Sequence, residues 1–269
     1  MHNSPYLELE GASWTRVTDN EGHAGDYQAA KRQPWRSFME QASAIDLIGD
    51  LKGASVIDLA CGEGYYSRLF KHHGAKSVLG VDLSDDMVAL ARRQEQQQPL
   101  GIQYLCANVT ALAAEDGDGQ VAVEPVDLVF AGYLFNHAAS RHELLEQCQA
   151  VKRLLKPGGR LVAVNSDPSD PGDHGEATRP YGYIKTVERP QVEGSAVHYR
   201  FLLDGDEAMT ITNFFIRREV MQAQMETAGL SHVRWIAPRV SAAGIEQMGT
   251  DYWHVIEAQP PFCLIEAQG

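Results

Sequence analysis

The stretch that decides the fold is Asp58-Leu-Ala-Cys-Gly-Glu-Gly-Tyr65. It follows a short β-branched strand pattern and precedes a helical pattern that Gly74 closes. Two glycines one residue apart, Gly62 and Gly64, at a strand-to-helix turn allow the backbone to come close to a ligand. The turn alone leaves the ligand open, because a phosphate, a dinucleotide and a charged amino-acid-like cofactor could all use it.

Strand and helix patterns alternate on both sides of this turn. The predicted strands are Ser55–Ala60, Ser77–Val81, Ile102–Ala107, Val126–Ala131 and Arg160–Val164. The predicted helices are Ser37–Ile48, Tyr65–His73, Ser84–Gln96 and Ser140–Leu155. Strands that are apolar on both faces and alternate with helices make a parallel sheet covered on both sides. The sequence therefore predicts an α/β, doubly wound fold.

The pattern changes after Asn165. The segment predicts a loop, three antiparallel strands, a helix and two late strands, at Ser166–Glu176, Tyr183–Val187, Val197–Leu203, Met209–Ile216, Arg217–Ala228, His232–Ala237 and Phe262–Ala267. An insert at about 166–216 would lie above the carboxyl edge of the sheet, where open α/β folds bind ligands. We therefore expect a substrate cover there. Residues 1–25 are expected to form a flexible arm, and residues 26–269 a single domain.

The composition excludes several classes of partner. The chain has 269 residues, of which 44% are hydrophobic, and a net charge of −13 with dispersed Lys and Arg, which argues against nucleic acid. No apolar stretch reaches membrane-spanning length, and the N-terminus lacks a basic region followed by an apolar run. We expect a cytoplasmic protein with no membrane partner, reduced cysteines and no metal site. The oligomeric state stays open.

Polar and apolar side chains suited to a nucleoside follow successive strands. Asp82 ends the second strand and can bind two ribose hydroxyls through its two oxygens. Asn108 ends the third strand, and its amide oxygen can accept from an adenine amino group. Asp58 can balance a ligand ammonium. Flat apolar surface for a purine is offered by Leu83, Met87 and Val109.

A dinucleotide is one alternative ligand for this set. Dinucleotide turns more often show G-x-G-x-x-G, whereas Ser67 stands at the third glycine position here and an acid stands four residues before the first glycine. An acid after the second strand fits both ligands and does not separate them. A nicotinamide oxidoreductase on the same kind of sheet is therefore the competing enzyme class.

Three motifs in order resemble those of the class I S-adenosylmethionine-dependent methyltransferases: Asp58-Leu-Ala-Cys-Gly-Glu-Gly, Val81-Asp82-Leu-Ser and Leu155-Lys-Pro-Gly-Gly. The resemblance covers roughly Gly53 to Val164. It implies a Rossmann-like seven-stranded sheet with an antiparallel last strand, and S-adenosyl-L-methionine as cofactor. The cofactor residues that it implies are Tyr27, Arg36, Asp58, Ala60, Gly62, Gly64, Asp82, Leu83, Met87, Asn108, Val109 and Ala131. Tyr27 and Arg36 would close over the methionine end.

A narrower resemblance points to a substrate class. Tyr27-x-x-x-Lys31-x-x-Pro34-Trp35-Arg36, Gly49-Asp50 and Pro99-Leu-Gly-Ile-x-Tyr104 are similar to segments of the bacterial toxoflavin-synthase-type methyltransferases. Those enzymes methylate ring nitrogens of an azapteridine-like heterocycle. Asn108 departs from the usual acid of the third strand, although an amide can still accept the adenine hydrogen bond.

Residues after the fourth strand and in the insert are candidates for the reaction. His137 lies where the methyl group should point, and a neutral histidine could take a proton near pH 7. A structural histidine that only holds the loop is the alternative. Trp35, Tyr133, Asn136, Asn165 and Tyr181 could line a flat substrate, with Tyr183 beside them.

Other functions stay possible on the same residues. An O-methyltransferase of a small hydroxylated metabolite and a catalytically silent cofactor-binding protein both fit the motifs. An aminopropyl transferase would need a carboxylate after the fourth strand, where Tyr133 and Asn136 stand instead.

Overall fold

The computed structural model describes residues 33–113, 121–169, 172, 175–202 and 208–269. Its strands are β1 (Ser55–Leu59), β2 (Ser77–Asp82), β3 (Gln103–Cys106), β4 (Leu112–Ala113), β5 (Val121–Ala122), β6 (Val126–Gly132), β7 (Leu155–Ser166), β8 (Tyr183–Val187), β9 (Ala196–Leu202), β10 (Ala208–Phe214), β11 (Ser231–Ile236) and β12 (Phe262–Gln268). The arm predicted for residues 1–25, and with it Tyr27, lies outside the described residues.

A seven-stranded sheet organises the chain. Its strand order is β11-β12-β7-β6-β1-β2-β3. The pairs β1–β2, β1–β6, β2–β3 and β6–β7 are parallel, and β12 runs antiparallel to both β7 and β11. The Rossmann-like sheet with an antiparallel last strand is therefore confirmed. Because the order reverses at β1, the carboxyl ends of β1, β2 and β6 meet at the edge where such sheets bind ligands.

Helices cover both faces of the sheet. They are α1 (Ala42–Ile48), α2 (Tyr65–His72), α3 (Asp85–Gln97), α4 (Arg141–Leu154), α5 (Arg218–Thr227), α6 (Ala242–Met248) and α7 (Thr250–Ala258). Serines cap two of them: Ser84 Oγ accepts from the N–H of Met87, and Ser140 Oγ from the N–H of Glu143. Among the described helices, none is both long and apolar enough to cross a membrane.

The start of the first helix and the two helices before the last strand differ from the predicted pattern. The helix predicted at Ser37–Ile48 begins as a π-helical segment, Arg36–Gln41, before it continues as α1. The sequence analysis did not predict α6 and α7. They pack beside the π-helical segment, where Gly244 of α6 lies against Phe38 and the indole N–H of Trp253 donates to the Gly244 carbonyl at 3.0 Å.

The amino edge of the sheet is held by a charged cluster. Lys156 Nζ donates to Asp127 Oδ1 at 2.9 Å and to Ser55 Oγ at 3.0 Å. The hydrogen bonds from Ser55 and Lys156 lower the pKa of Asp127 to about 2. The Lys156-Pro-Gly-Gly segment, predicted to be a turn before the strand, is the first part of β7. It joins β7, β6 and β1 at the edge opposite the ligand-binding one.

The insert forms a separate antiparallel sheet in the order β10-β9-β8, as predicted. Hydrogen bonds at two places attach it to the main domain, and Tyr183 of β8 packs against the Trp35 ring. The Glu193 carboxylate accepts from Arg141 Nε at 2.8 Å and from Arg217 Nε at 2.8 Å. The amide nitrogen of Asn213 lies 3.3 Å from Ser166 Oγ, at the end of β7.

Candidate functional site

The turn after β1 has an unusual backbone. Ala60, Gly62 and Gly64 have φ values of +56°, +56° and +87°, so three of five consecutive residues adopt left-handed conformations. Left-handed backbone is unfavourable for a residue with a Cβ, and Ala60 adopts it without being glycine. The Asp58 side chain lies below the turn, 1% exposed, and accepts from Ser67 Oγ at 2.6 Å.

Gly64 is required by packing as well as by its backbone angle. A Cβ at this position would overlap the Tyr104 hydroxyl and lie 2.8 Å from two carbon atoms of that ring. The sequence analysis assigned both glycines to ligand approach. For Gly64, the structure identifies a second reason, because the ring of Tyr104 occupies the space below the turn.

Asp82 connects the first two motifs. Its Oδ2 accepts from the Gly62 N–H at 2.7 Å, and its Oδ1 accepts from the Ser84 N–H at 2.9 Å. A carboxylate has about four lone-pair sites, so both oxygens retain capacity for further hydrogen bonds. Leu83, the next residue, is 71% exposed, and Met87 is half-buried on the first turn of α3. An acceptor pair and an exposed apolar side chain therefore stand together at the end of β2.

The end of β3 differs in detail from the expected adenine contact. Asn108 Oδ1 accepts from both the N–H and the hydroxyl of Thr110 at 3.0 Å, so the side chain caps the 3₁₀ turn Val109–Ala111. The oxygen expected to accept from adenine is thus already hydrogen-bonded within the chain. Val109 is buried, as is Ala131 near the end of β6.

Tyr133 and Glu40 organise the N-terminal side of the site. Tyr133 follows β6 with a left-handed φ of +62°, and its hydroxyl donates to Glu40 Oε2. Arg36 Nη1 donates to Glu40 Oε2 at 2.5 Å and to the Tyr133 hydroxyl at 3.0 Å. The Tyr66 hydroxyl of α2 donates to Glu40 Oε1 at 3.1 Å. The buried Glu40 carboxylate thereby joins three segments around the predicted methionine end.

His137 ends the 3₁₀ turn Leu134–His137 and borders a cavity. Burial lowers the pKa of His137 below its ordinary value, and the nearby Asp82 charge opposes this shift without cancelling it. His137 is an exposed residue that lines this cavity. Because its pKa is lowered, His137 is neutral at pH 7.

A cavity of about 420 Å³ lies between the carboxyl edge and the insert sheet. This volume falls in the range of small-molecule sites, roughly 300–1,000 Å³. Its walls are mostly aromatic and sulfur-containing, and its lining includes Trp35, Arg36, Met87, Tyr133, His137, Tyr183, Tyr199, Phe201, Met209 and Pro261. The Arg36 guanidinium lies over the Trp35 ring, 4.1 Å from its centroid, so its charge is paired with Glu40 and stacked on an aromatic face.

The structure brings some of the predicted substrate residues to this cavity and leaves others away from it. Trp35, Tyr133 and Tyr183 line it. Asn136 and Asn165 instead line a smaller neighbouring cavity of about 30 Å³. The Tyr181 hydroxyl donates to the Tyr252 carbonyl at 2.5 Å, and Tyr181 does not border the larger cavity.

Several residues of the site were missed by sequence reasoning. They include Glu40, which organises the polar cluster, and Tyr199, Phe201, Met209 and Asn213 of the insert. The alternation of aromatic residues in β9, at Tyr199 and Phe201, was the available signal. It predicted a strand without indicating which face would meet a ligand.

The fold and the site together define a class of protein: a Rossmann-like domain with acidic residues at the ends of β1 and β2 and a cavity over the carboxyl edge of the sheet. Residues 57–163 match the family described as Methyltransferase domain. The demethylmenaquinone methyltransferase of Thermus thermophilus is 30% identical over 190 residues, which cover 70% of this chain and 79% of that protein. The chain therefore belongs to the S-adenosylmethionine-dependent methyltransferases, of class I, whose cofactor is S-adenosyl-L-methionine.

Another relative and two solved structures are also similar to this chain. The ubiquinone biosynthesis O-methyltransferase of Coxiella burnetii is 32% identical over 111 residues, and the match spans only 43% of that protein. An S-adenosylmethionine dependent methyltransferase from Mesorhizobium loti has the same fold, with a TM-score of 0.59 at 18% identity, over 89% of this chain and all of the other. The CcbJ methyltransferase from Streptomyces caelestis is similar, with a TM-score of 0.57 at 15% identity, over 84% and 93%.

Proposed function

We propose that this protein transfers a methyl group from S-adenosylmethionine to a ring nitrogen of a small, planar, azapteridine-like heterocycle. The observation that carries the proposal is the aromatic cavity beside Met87 and His137, with the Asp82 carboxylate close enough to His137 to influence its protonation. Aromatic walls of this kind favour a flat ring, because ring faces stack with offset geometry. We propose a small molecule rather than a nucleic acid as the substrate, since a net charge of −13 disfavours nucleic acid.

The residues at the carboxyl edge fit the cofactor. Asp82 would accept from the ribose hydroxyls, Leu83 offers apolar surface to adenine, and Asp58 would balance the ammonium group. Asn108 presents its amide N–H groups, since Thr110 occupies its oxygen. S-Adenosylmethionine supplies an electrophilic methyl group on a positively charged sulfur when it is bound. The other proposed contacts are Tyr27, Arg36, Ala60, Gly62, Gly64, Met87, Val109 and Ala131.

The chain's own contribution is mainly alignment and exclusion of water. The stacked walls fix the plane of the acceptor, and holding two reactants in line contributes on the order of 7–11 kcal/mol. His137, neutral at pH 7 because burial lowers its pKa, can accept a proton from an acceptor N–H. The Glu40 cluster holds Arg36 and Tyr133 in fixed positions, so the wall is pre-organised.

O-methylation is the second candidate. It is favoured by one comparison, since a relative is named for O-methylation in ubiquinone biosynthesis. The same neutral His137 could take the proton of a hydroxyl acceptor. Product analysis separates the two, because N-methyl and O-methyl products differ in mass-spectrometric fragmentation and in their NMR methyl shifts.

Cofactor binding is tested by thermal unfolding. S-adenosylhomocysteine at a hundred times its Kd should stabilise the protein by about 2.7 kcal/mol and raise its Tm, whereas NADH should not. The Asp82→Ala variant should lose at least tenfold in affinity for S-adenosylhomocysteine, while Asp86→Ala, which removes an exposed acid from the helix that follows, serves as the matched control. Stabilisation by NADH but not by S-adenosylhomocysteine, or equal affinities in the two variants, would contradict the proposal.

A further inference from the structure

The cavity borders β10 in a way that side chains alone do not explain. It touches five consecutive residues of that strand, from Met209 to Asn213. Successive side chains of a strand point to opposite faces. Met209 and Asn213 are accordingly buried, whereas Thr210 and Thr212 are exposed. A cavity in contact with both faces must run along the edge of the strand, where main-chain groups are presented.

The register identifies which main-chain groups point to that edge. Phe215 donates its N–H to the Ser195 carbonyl at 2.9 Å, and its carbonyl accepts from the Gly194 N–H at 2.8 Å, so the Phe215 main chain faces β9. Outward and inward groups alternate along a strand, so Asn213, Ile211 and Met209 also face β9. The Thr212 and Thr210 main chains therefore face away from β9.

The hydrogen bonds between β8 and β9 confirm this alternation. Thr212 and Thr210 pair in register with His198 and Arg200 of β9. Ala196 and Leu202 alternate with His198 and Arg200 at every second position of β9, and their main chains bond toward β8. The Ala196 carbonyl accepts from the Glu188 N–H, and the Leu202 N–H donates to the Gly182 carbonyl. Because β10 is the last strand of its sheet, the Thr210 and Thr212 main chains form its open edge.

This open edge has no partner within the described part of the chain. No hydrogen bond joins the Thr210 or Thr212 main chain to another described residue, and the Thr212 hydroxyl is hydrogen-bonded to His198 Nδ1 of β9 at 3.0 Å. An open strand edge presents N–H donors and C=O acceptors in alternation and is a template for pairing. Here the edge borders a cavity with aromatic walls, so a flat ligand can reach it.

We propose that the open edge of β10 recognises the methyl acceptor through main-chain hydrogen bonds. Thr210 and Thr212 would each offer one N–H and one C=O to a planar nitrogen heterocycle that carries a donor and an acceptor on neighbouring ring atoms, as a lactam does. The inference rests on the proposed function, and it specifies the edge of the ring that the protein reads. Trp35, Tyr199 and Phe201 contribute the aromatic walls, and Met87 and His137 border the same cavity from the cofactor side.

Two probes test the ligand side of this proposal. Lumazine is a bicyclic heterocycle with ring N–H groups next to carbonyls, and 1,3-dimethyllumazine keeps the ring but lacks those N–H groups. Calorimetric titration into the wild-type protein loaded with S-adenosylhomocysteine should give at least tenfold weaker binding for the dimethyl compound. Equal affinities, or no binding of lumazine, would overturn the inference.

Substitutions test the protein side. Thr212→Pro removes the outward N–H and leaves the bonds to β9 intact, and proline is tolerated on strand edges. It should weaken lumazine binding at least tenfold while S-adenosylhomocysteine still raises the Tm. Thr212→Val keeps the N–H and should lose less affinity for lumazine than Thr212→Pro. An equal loss of affinity in the two variants would mean that the side chain is recognised, and would overturn the proposal.

The two hypotheses fail in different ways. If Thr212→Pro does not fold, the comparison of lumazine with its dimethyl derivative on the wild-type protein decides the inference. If S-adenosylhomocysteine does not raise the Tm of the wild-type protein, the proposed function and this inference fail together. If it does and the dimethyl compound binds as well as lumazine, only the edge recognition fails.

Discussion

Replacing Gly64 by alanine should destabilise the protein in the absence of any ligand. Two effects add up. The backbone φ of +87° disfavours a residue with a Cβ by about 1–2 kcal/mol. The new methyl group would also overlap the buried Tyr104 ring, and overpacking of this kind destabilises by about 1–3 kcal/mol. The expected loss in the free energy of unfolding is therefore about 2–5 kcal/mol.

Gly101→Ala is the matched control. Gly101 has a similar φ of +77°, but a Cβ there would meet nothing within 4 Å. The expected loss in the free energy of unfolding for Gly101→Ala is therefore only the cost of the left-handed backbone, about 1–2 kcal/mol. Urea unfolding at 25 °C, followed by circular dichroism and by tryptophan fluorescence without cofactor, measures both values. If Gly64→Ala loses no more stability than Gly101→Ala, Gly64 is required only for ligand approach and the packing argument is wrong.

Two further predictions concern pH and the amino edge of the sheet. Because burial lowers the pKa of His137, the folded protein resists its protonation, and the free energy of unfolding should fall as the pH drops below the ordinary histidine pKa. The His137→Gln variant should therefore show a smaller change in Tm between pH 7 and pH 5. An equal change in Tm in the variant and the wild-type protein would contradict this prediction. Lys156→Met should lower stability by about 1 kcal/mol, since the Lys156–Asp127 pair is half-exposed, without altering affinity for S-adenosylhomocysteine. A change in that affinity would show that the Lys156 cluster reaches the site.

Local patterns were sufficient to predict the parallel sheet. The apolar strands and the capping serines act over a few residues, so Ser84 and Ser140 marked helix starts correctly. The π-helical turn at Arg36–Gln41 was not predictable in this way. A π-helical turn contains one more residue than an α-helical turn and so changes which side chains face the site. Glu40, which joins the polar cluster, belongs to this π-helical segment.

Long-range packing decided what the sequence could not indicate. Helix α6 is short and contains Gly244, and a glycine weakens a helical pattern. The structure explains this glycine, because a Cβ at position 244 would clash with the Phe38 side chain. The late Lys-Pro-Gly-Gly motif was a signal of family, but its position at the amino edge gives Lys156 a role in joining strands. Asn165 and Tyr181 have suitable chemistry, yet the fold directs them away from the larger cavity.

The attachment of the insert has a consequence for how such a protein can change. The chain leaves the sheet at Ser166, and the side chain of Asn213, near the end of the insert, lies within hydrogen-bonding distance of the Ser166 hydroxyl. A segment whose ends meet can be lengthened, shortened or exchanged with little effect on the strands that it leaves, because closing a longer loop adds only about 0.6 kcal/mol per doubling of length. The wall proposed to meet the acceptor is thus an exchangeable module, while the acids proposed to hold the cofactor belong to the sheet.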